Sequence, residues 1–236
     1  MTTNHSDSRK KKITASELMD QLQRDPVYLS RTQETERRRQ ESIEQHRLVA
    51  APVVEGLNLA GFRVDSIDDL RRSGTHYSAA VPVLLKWLPR IANEDVKESI
   101  VRALSVPWAK PTATLPLIYE FRAAPLTASG LKWAIGNALE VIADDSVFDQ
   151  ISEIVRDRKH GKAREMLAMA LGNMTHKRAV ELLIELLKDD EVAGHALIAL
   201  GKLRDQKARP YIEKLLSHQK AWVRKEAKKA LTKLDQ

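Results

Sequence analysis

Apolar residues recur along residues 77–234 in a pattern that repeats at spacings of 29 to 35 positions. The dipeptide Ala-Leu recurs at five positions with this spacing, and an apolar residue stands three and seven positions before each alanine. These alanines are Ala103, Ala138, Ala170, Ala199 and Ala230. Such positions share one face of an α-helix, because helical side chains return to the same face every three or four residues. The pattern therefore predicts five amphipathic helices in the same register.

A second helical segment is predicted before each of these five helices, at residues 81–88, 115–121, 147–155, 179–187 and 208–216. A single helix pair cannot cover its own apolar face, so five copies at this period must stack on one another. The expected fold is all-α: a right-handed α-solenoid of about five helix pairs, preceded by an N-terminal helical extension.

The residues before the repeats predict three segments. Residues 1–12 are polar and are expected to form a disordered tail. Residues 13–74 predict a helical extension that opens with a capping box and carries Leu18, Met19 and Leu22 on one side. Within it, residues 30–47 form a polar helix whose only aliphatic residue is Ile43, which indicates a solvated arm or a surface that meets a partner. Residues 75–236 then form the solenoid.

Two segments carry a resemblance to a known family. The sequences EVAGHALIALGKL at residues 191–203 and WVRKEAKKALTKL at residues 222–234 resemble the second helix of HEAT repeats. The resemblance is to the short bacterial HEAT-like repeats that also occur in bilin lyases, and it extends over residues 77–234. It implies a bacterial adaptor or scaffold protein, although some members of the family bind nucleic acid and a few are enzymes.

The outward positions of the predicted second helices suggest a binding groove. In the middle repeats these positions are largely apolar or small, and an exposed apolar patch commonly marks an interface. The predicted groove contains Trp133, Asn137, Met169, Leu197 and Ile198. Its occupant would be a helix from another protein, from a second copy of this chain, or from the N-terminal extension. The alternative is that stacking buries these positions against neighbouring repeats.

The charge distribution adds a second candidate surface. The net charge is +7, and residues 201–236 contain eleven Lys and Arg against four acidic residues. Removing them from the totals of 39 basic and 32 acidic residues leaves 28 of each, so the excess lies at one end. The predicted basic patch is Arg224, Lys225, Lys228, Lys229 and Lys233. It fits either the polar outer face of a terminal repeat or a platform for nucleic acid or an acidic protein.

Residue types that carry chemistry are sparse. The chain has no Cys, its seven His are scattered, and no phosphate-binding, nucleophile-elbow or zinc-protease motif occurs. We therefore expect no catalytic residue, no metal and no cofactor, and a cytoplasmic protein without a membrane-spanning segment. The leading hypothesis is a protein-interaction scaffold, and the alternative is a nucleic-acid-associated module. Two remote alternatives are a HEAT-like DNA glycosylase and a small-ligand carrier.

Overall fold

The computed structural model describes residues 13–236, which contain thirteen α-helices and no β-strand. Contacts divide the chain into two compact units, one that ends at Leu48 and one that comprises Val49–Gln236. The predicted tail at residues 1–12 lies outside the described residues. The predicted domain boundaries after residues 12 and 74 stay predictions.

The first unit contains helix α1 (Ala15–Leu22) and most of the long helix α2 (Pro26–Leu59). The predicted capping box opens α1: the Glu17 amide donates to Thr14 Oγ1 at 3.3 Å, and the Thr14 amide donates to Glu17 Oε2 at 2.9 Å. Along α2, side chains four residues apart form exposed ion pairs, such as Arg38 with Glu34 at 2.5 Å and Arg37 with Glu41 at 2.9 Å. These pairs stabilise a helix that buries none of residues 26–48.

The second unit continues with the short helix α3 (Asp68–Arg72) and then five helix pairs. The pairs are α4 (Val81–Trp87) with α5 (Glu94–Leu104), α6 (Thr114–Ala123) with α7 (Ser129–Ile142), α8 (Phe148–Arg156) with α9 (Glu165–Leu171), α10 (Ala179–Leu186) with α11 (Ala193–Leu203), and α12 (Arg209–Glu213) with α13 (Ala221–Leu234). The two helices of every pair are in contact, and the second helices α5, α7, α9, α11 and α13 also contact one another in that order. The predicted all-α solenoid of five helix pairs is therefore confirmed.

The repeated apolar stripe forms the core of the second unit. All five repeat alanines are buried, and so are the residues three and seven positions before each of them. Because these positions lie on one helical face, they pack each second helix against the first helix of its pair.

Two glycines let neighbouring second helices approach closely. A Cβ atom at Gly172 would lie 2.8 Å from Cα of Ala199, and one at Gly201 would lie 3.1 Å from Cα of Ala230. The first distance is shorter than real Cβ contacts, so a side chain at Gly172 would push α9 and α11 apart.

A buried or half-buried cation joins helix ends in three repeats, at the position six before the repeat alanine. Lys132 Nζ donates to the carbonyl of Phe121, Arg164 Nη1 to that of Val155 at 3.2 Å, and Arg224 Nη1 to that of His218 at 2.7 Å. Each carbonyl lies at the end of the first helical segment of that repeat, where backbone oxygens lack helical partners. These cations therefore stabilise the turn inside the helix pair.

Candidate functional site

One residue from each second helix lies in a continuous row. These residues, which immediately precede the repeat alanines, are Arg102, Asn137, Met169, Ile198 and Lys229, and we call them the central row. Lys229 is exposed and the other four are half-buried. Because each second helix contacts the next, the central row crosses all five repeats on one side of the unit. The row is basic at both ends and uncharged in the middle.

Leu197 does not belong to this exposed surface. Its side chain has no exposed area, and the equivalent positions Val101, Gly136 and Ala168 are buried as well. The position two before the repeat alanine points towards the following second helix, where a Cβ at Gly136 would lie 3.2 Å from Cβ of Met166. The expectation that Leu197 faces the groove is therefore wrong, because stacking of the next repeat covers it.

Trp133 and Asn137 line the first part of the row. Trp133 is 43% exposed and borders two depressions, of about 300 and 520 Å³, that meet at Arg102. The Asn137 side-chain amide donates to the Trp133 carbonyl at 2.9 Å, within its own helix. Arg102 Nε donates to Glu98 Oε1 at 2.9 Å, so the positive charge beside Trp133 is balanced. This part of the surface is amphipathic and carries little net charge.

Arg71 completes the wall on the other side of Arg102, where both line the smaller depression. It forms an ion pair with Asp68 at 3.3 Å on α3. Sequence reasoning missed Arg71, because α3 lies outside the repeat and no periodicity relates its residues to the second helices.

The apolar and basic candidate surfaces meet at the other end of the row. A depression of about 290 Å³ lies between α11 and α13, and we call it the C-terminal depression. Its lining residues are Leu197, Ile198, Gly201, Glu226, Lys229, Ala230 and Lys233. Lys229 Nζ lies 2.8 Å from Glu226 Oε1, whereas Lys233 has no acidic partner among residues 13–236. Ile198 and the two lysines therefore form one surface.

The other residues of the predicted basic patch lie elsewhere. Arg224 is half-buried, and its guanidinium donates to the carbonyls of His218 and Gln219 at 2.7 and 2.9 Å, so it closes a turn. Lys228 occupies the position that is buried in the four preceding second helices, and it is exposed at the end of the stack. Lys225 is exposed at the helical position equivalent to Trp133. Of the predicted patch, only Lys229 and Lys233 line the depression.

Trp222 and His195 pack together beside the row. The Trp222 ring is 44% exposed and lies over Gly194, where a Cβ atom would approach it within 2.0 Å. The ring centroids of His195 and Trp222 are 5.1 Å apart. Burial lowers the pKa of His195 below its ordinary 6.5, although the carboxylates of Glu165 and Glu226 act in the opposite direction. Burial therefore favours the neutral form of the imidazole.

Within residues 13–236, no three His, Asp or Glu side chains cluster so as to hold a metal ion. None of the helices in this part of the chain combines the length and the apolar character needed to cross a bilayer.

Comparisons with known proteins agree with this architecture. Residues 163–189 match the family model of the PBS lyase HEAT-like repeat, and residues 188–236 match that of HEAT repeats. Among solved structures, a designed armadillo repeat protein in complex with the peptide (KR)4 is similar, with a TM-score of 0.50 and 19% sequence identity. The match covers 78% of this chain and 92% of that one, and it shows a shared repeat-solenoid fold. A search of curated proteins finds no match. Residues 163–236 are thus similar to HEAT repeats, and the five helix pairs that carry the repeated stripe form a repeat solenoid.

Proposed function

We propose that this protein is a non-catalytic scaffold that binds an extended or helical segment of a partner protein along the central row. The observation that carries the proposal is the row itself, to which each of five contacting helices contributes an accessible side chain. Repeat solenoids commonly use such extended surfaces for binding. The designed armadillo repeat protein named above is in complex with a peptide, which supports a peptide segment as the ligand.

The chemistry of the middle of the row favours a protein ligand. Met169 and Ile198 are half-buried apolar side chains, and Trp133 is a partly exposed aromatic residue one helical turn before Asn137 of the row. Protein interfaces are enriched in aromatic residues and Met at their centres, with charged residues towards the rim. The central row has the same arrangement, with Arg102 at one end and Lys229 at the other.

A displayed library of random peptides tests this proposal. The wild-type protein should enrich peptides that lose binding to Met169→Glu, because a carboxylate in the middle of the row would be desolvated by an apolar ligand. Tyr119→Glu is the matched control, since Tyr119 is 63% exposed on the first helix α6, away from the row. Enriched peptides that bind both variants as well as the wild type would contradict the proposal.

A second candidate function is binding of nucleic acid through α13. Its support is the exposed cations Lys225, Lys228 and Lys233, none of which has an acidic partner among the described residues. Nucleic-acid binding of this kind should weaken steeply as salt rises, because each neutralised phosphate releases counterions. A titration of a labelled single-stranded oligonucleotide at several salt concentrations measures that slope, and an affinity independent of salt would exclude this function.

A further inference from the structure

The C-terminal depression combines an apolar floor with a lysine rim. Ile198 and Ala230 form its apolar surface with Leu197 beneath them, and Lys229 and Lys233 stand on one side. Its volume of about 290 Å³ lies at the lower limit of the roughly 300–1,000 Å³ of small-molecule sites. A depression of this size suits a single large side chain of a peptide better than a whole small molecule.

The charges around the C-terminal depression are predominantly positive. Among residues 13–236, Glu226 alone contributes a carboxylate to the lining, and it already pairs with Lys229 at 2.8 Å. Lys233 in the lining and Lys225 on the same helix have no acidic partner among residues 13–236. Lys202 of α11 donates to the side-chain oxygen of Asn173, a neutral group. The surface therefore presents cations that a ligand has to neutralise.

We propose that the C-terminal depression binds an acidic peptide segment of a partner protein, with one aliphatic side chain over Ile198 and carboxylates on Lys229 and Lys233. This inference rests on the proposed scaffold function and specifies the chemistry of the partner at one end of the row. Charge complementarity sets the orientation of such a segment and excludes basic competitors.

The lining of the depression favours an acidic protein over a nucleic acid. Single-stranded nucleic acid is held by aromatic side chains that stack on bases, assisted by arginine. The C-terminal depression has neither an aromatic nor an arginine side chain in its lining. An aliphatic floor instead matches the Leu, Ile or Val of an amphipathic segment, because burial of their apolar area stabilises the complex.

Fluorescence anisotropy with defined probes tests the inference on the full chain. The probe is a labelled helix-forming peptide of about four turns that carries Leu on one face and Glu on both flanks. Its controls are a scrambled peptide of the same composition, a peptide with Lys in place of every Glu, and a single-stranded oligonucleotide of equal length. At about 150 mM salt, where exposed charges interact over roughly 8 Å, the acidic amphipathic peptide should bind most tightly.

Two double variants on the protein locate the contact. Lys229→Gln with Lys233→Gln removes two charges from the depression, and the Gln amide at position 229 can still donate to Glu226. We expect its Kd for the acidic peptide to rise about twofold to thirtyfold, which is the combined effect of losing two exposed ion pairs. The control, Lys207→Gln with Lys214→Gln, removes two exposed charges that do not line the depression and should leave Kd nearly unchanged.

Ile198→Asp tests the apolar floor and should abolish binding of the acidic peptide, with circular dichroism to verify that the variant is folded. Equal binding of the scrambled or the basic peptide would overturn the inference, as would equal losses in the two double variants. Preferential binding of the oligonucleotide, lost in the Lys229/Lys233 variant, would assign the surface to nucleic acid instead. The displayed library could instead yield peptides that depend on Met169 but carry no acidic residues. That result would support the scaffold function and contradict the proposal of an acidic partner.

Discussion

The guanidinium of Arg164 donates to the carboxylate of Asp189 at 2.8 Å and thereby joins the third repeat to the fourth. Arg164 has no exposed area and also donates to the carbonyls of Gly161 and Val155 and to the carboxylate of Glu191. Each nitrogen of the guanidinium therefore has a hydrogen-bond partner, and two carboxylates neutralise its charge, which is the condition under which a buried ion pair is tolerated.

Replacement of Arg164 by Met should therefore lower the free energy of unfolding by about 3–5 kcal/mol, because it removes the buried cation and leaves Asp189 with only the exposed Arg158 as a cationic partner. Arg158 provides a matched control, since its side chain is 72% exposed and lies 3.3 Å from the same carboxylate oxygen. Arg158→Met should cost at most about 1 kcal/mol. Urea unfolding of both variants measures the difference, and equal losses would show that burial does not decide the strength of this contact.

Gly172→Ala should destabilise the stack by about 1–3 kcal/mol, because the new Cβ would lie 2.8 Å from backbone Cα of Ala199 and the helices must separate. Gly130→Ala is the control: its Cβ would meet only the Glu98 carboxylate, at 3.4 Å, and alanine favours the helix by up to about 1 kcal/mol. In thermal unfolding, we expect a lower Tm for Gly172→Ala and an equal or higher Tm for Gly130→Ala. An unchanged Tm in Gly172→Ala would mean that α9 and α11 are not held at this separation.

Gly194→Ala should have a different effect, although the overlap is closer. The atoms that a Cβ would meet belong to the Trp222 side chain, which is 44% exposed and can rotate away. We expect a loss of stability below about 1 kcal/mol. Movement of the indole into water should shift its fluorescence to longer wavelength, and the same substitution in a Trp222→Phe background should produce no shift.

Acid should destabilise the protein partly through His195. Burial lowers its pKa in the folded state below the 6.5 of the unfolded chain, so between these two values the unfolded state binds a proton that the folded state does not. His195 therefore does not reduce the free energy of unfolding above about pH 6.5. Below that pH the free energy of unfolding declines as pH falls towards the folded-state pKa. His195→Gln should make the decline shallower in urea unfolding at several pH values. Parallel profiles for wild type and variant would show that His195 does not contribute.

The central row could be predicted in part from the register of the second helices. The rule that places Asn137, Met169 and Ile198 on the outside also placed Leu197 there, although the structure buries it. The angular position of a side chain on its own helix follows from the sequence, but its exposure to solvent depends on how closely the next helix lies. That separation is set by small residues such as Gly172 and Ala199, whose pairing across two helices no single repeat reveals.

The merging of the two candidate surfaces is a similar case. In the sequence, Ile198 and Lys229 lie 31 positions apart, in separate repeats, and they indicated rival functions. The contact of α11 with α13 brings both into the lining of one depression. Lys228 and Lys229 are neighbours in the sequence, but consecutive residues on a helix point about 100° apart. Of the two, only Lys229 therefore lines the depression.

By itself, the sequence determined that this protein is an all-α stack of five helix pairs, since an apolar stripe in constant register can be buried only by stacking. Only the tertiary structure decided which outward positions remain accessible and which cations are available to a ligand. Arg164, Lys132 and Arg224 resemble surface cations in the sequence, yet they are held by carboxylates or by carbonyl groups at helix ends. Exposure and charge compensation depend on contacts between residues far apart in the chain, and a local pattern of polar and apolar residues does not encode them directly.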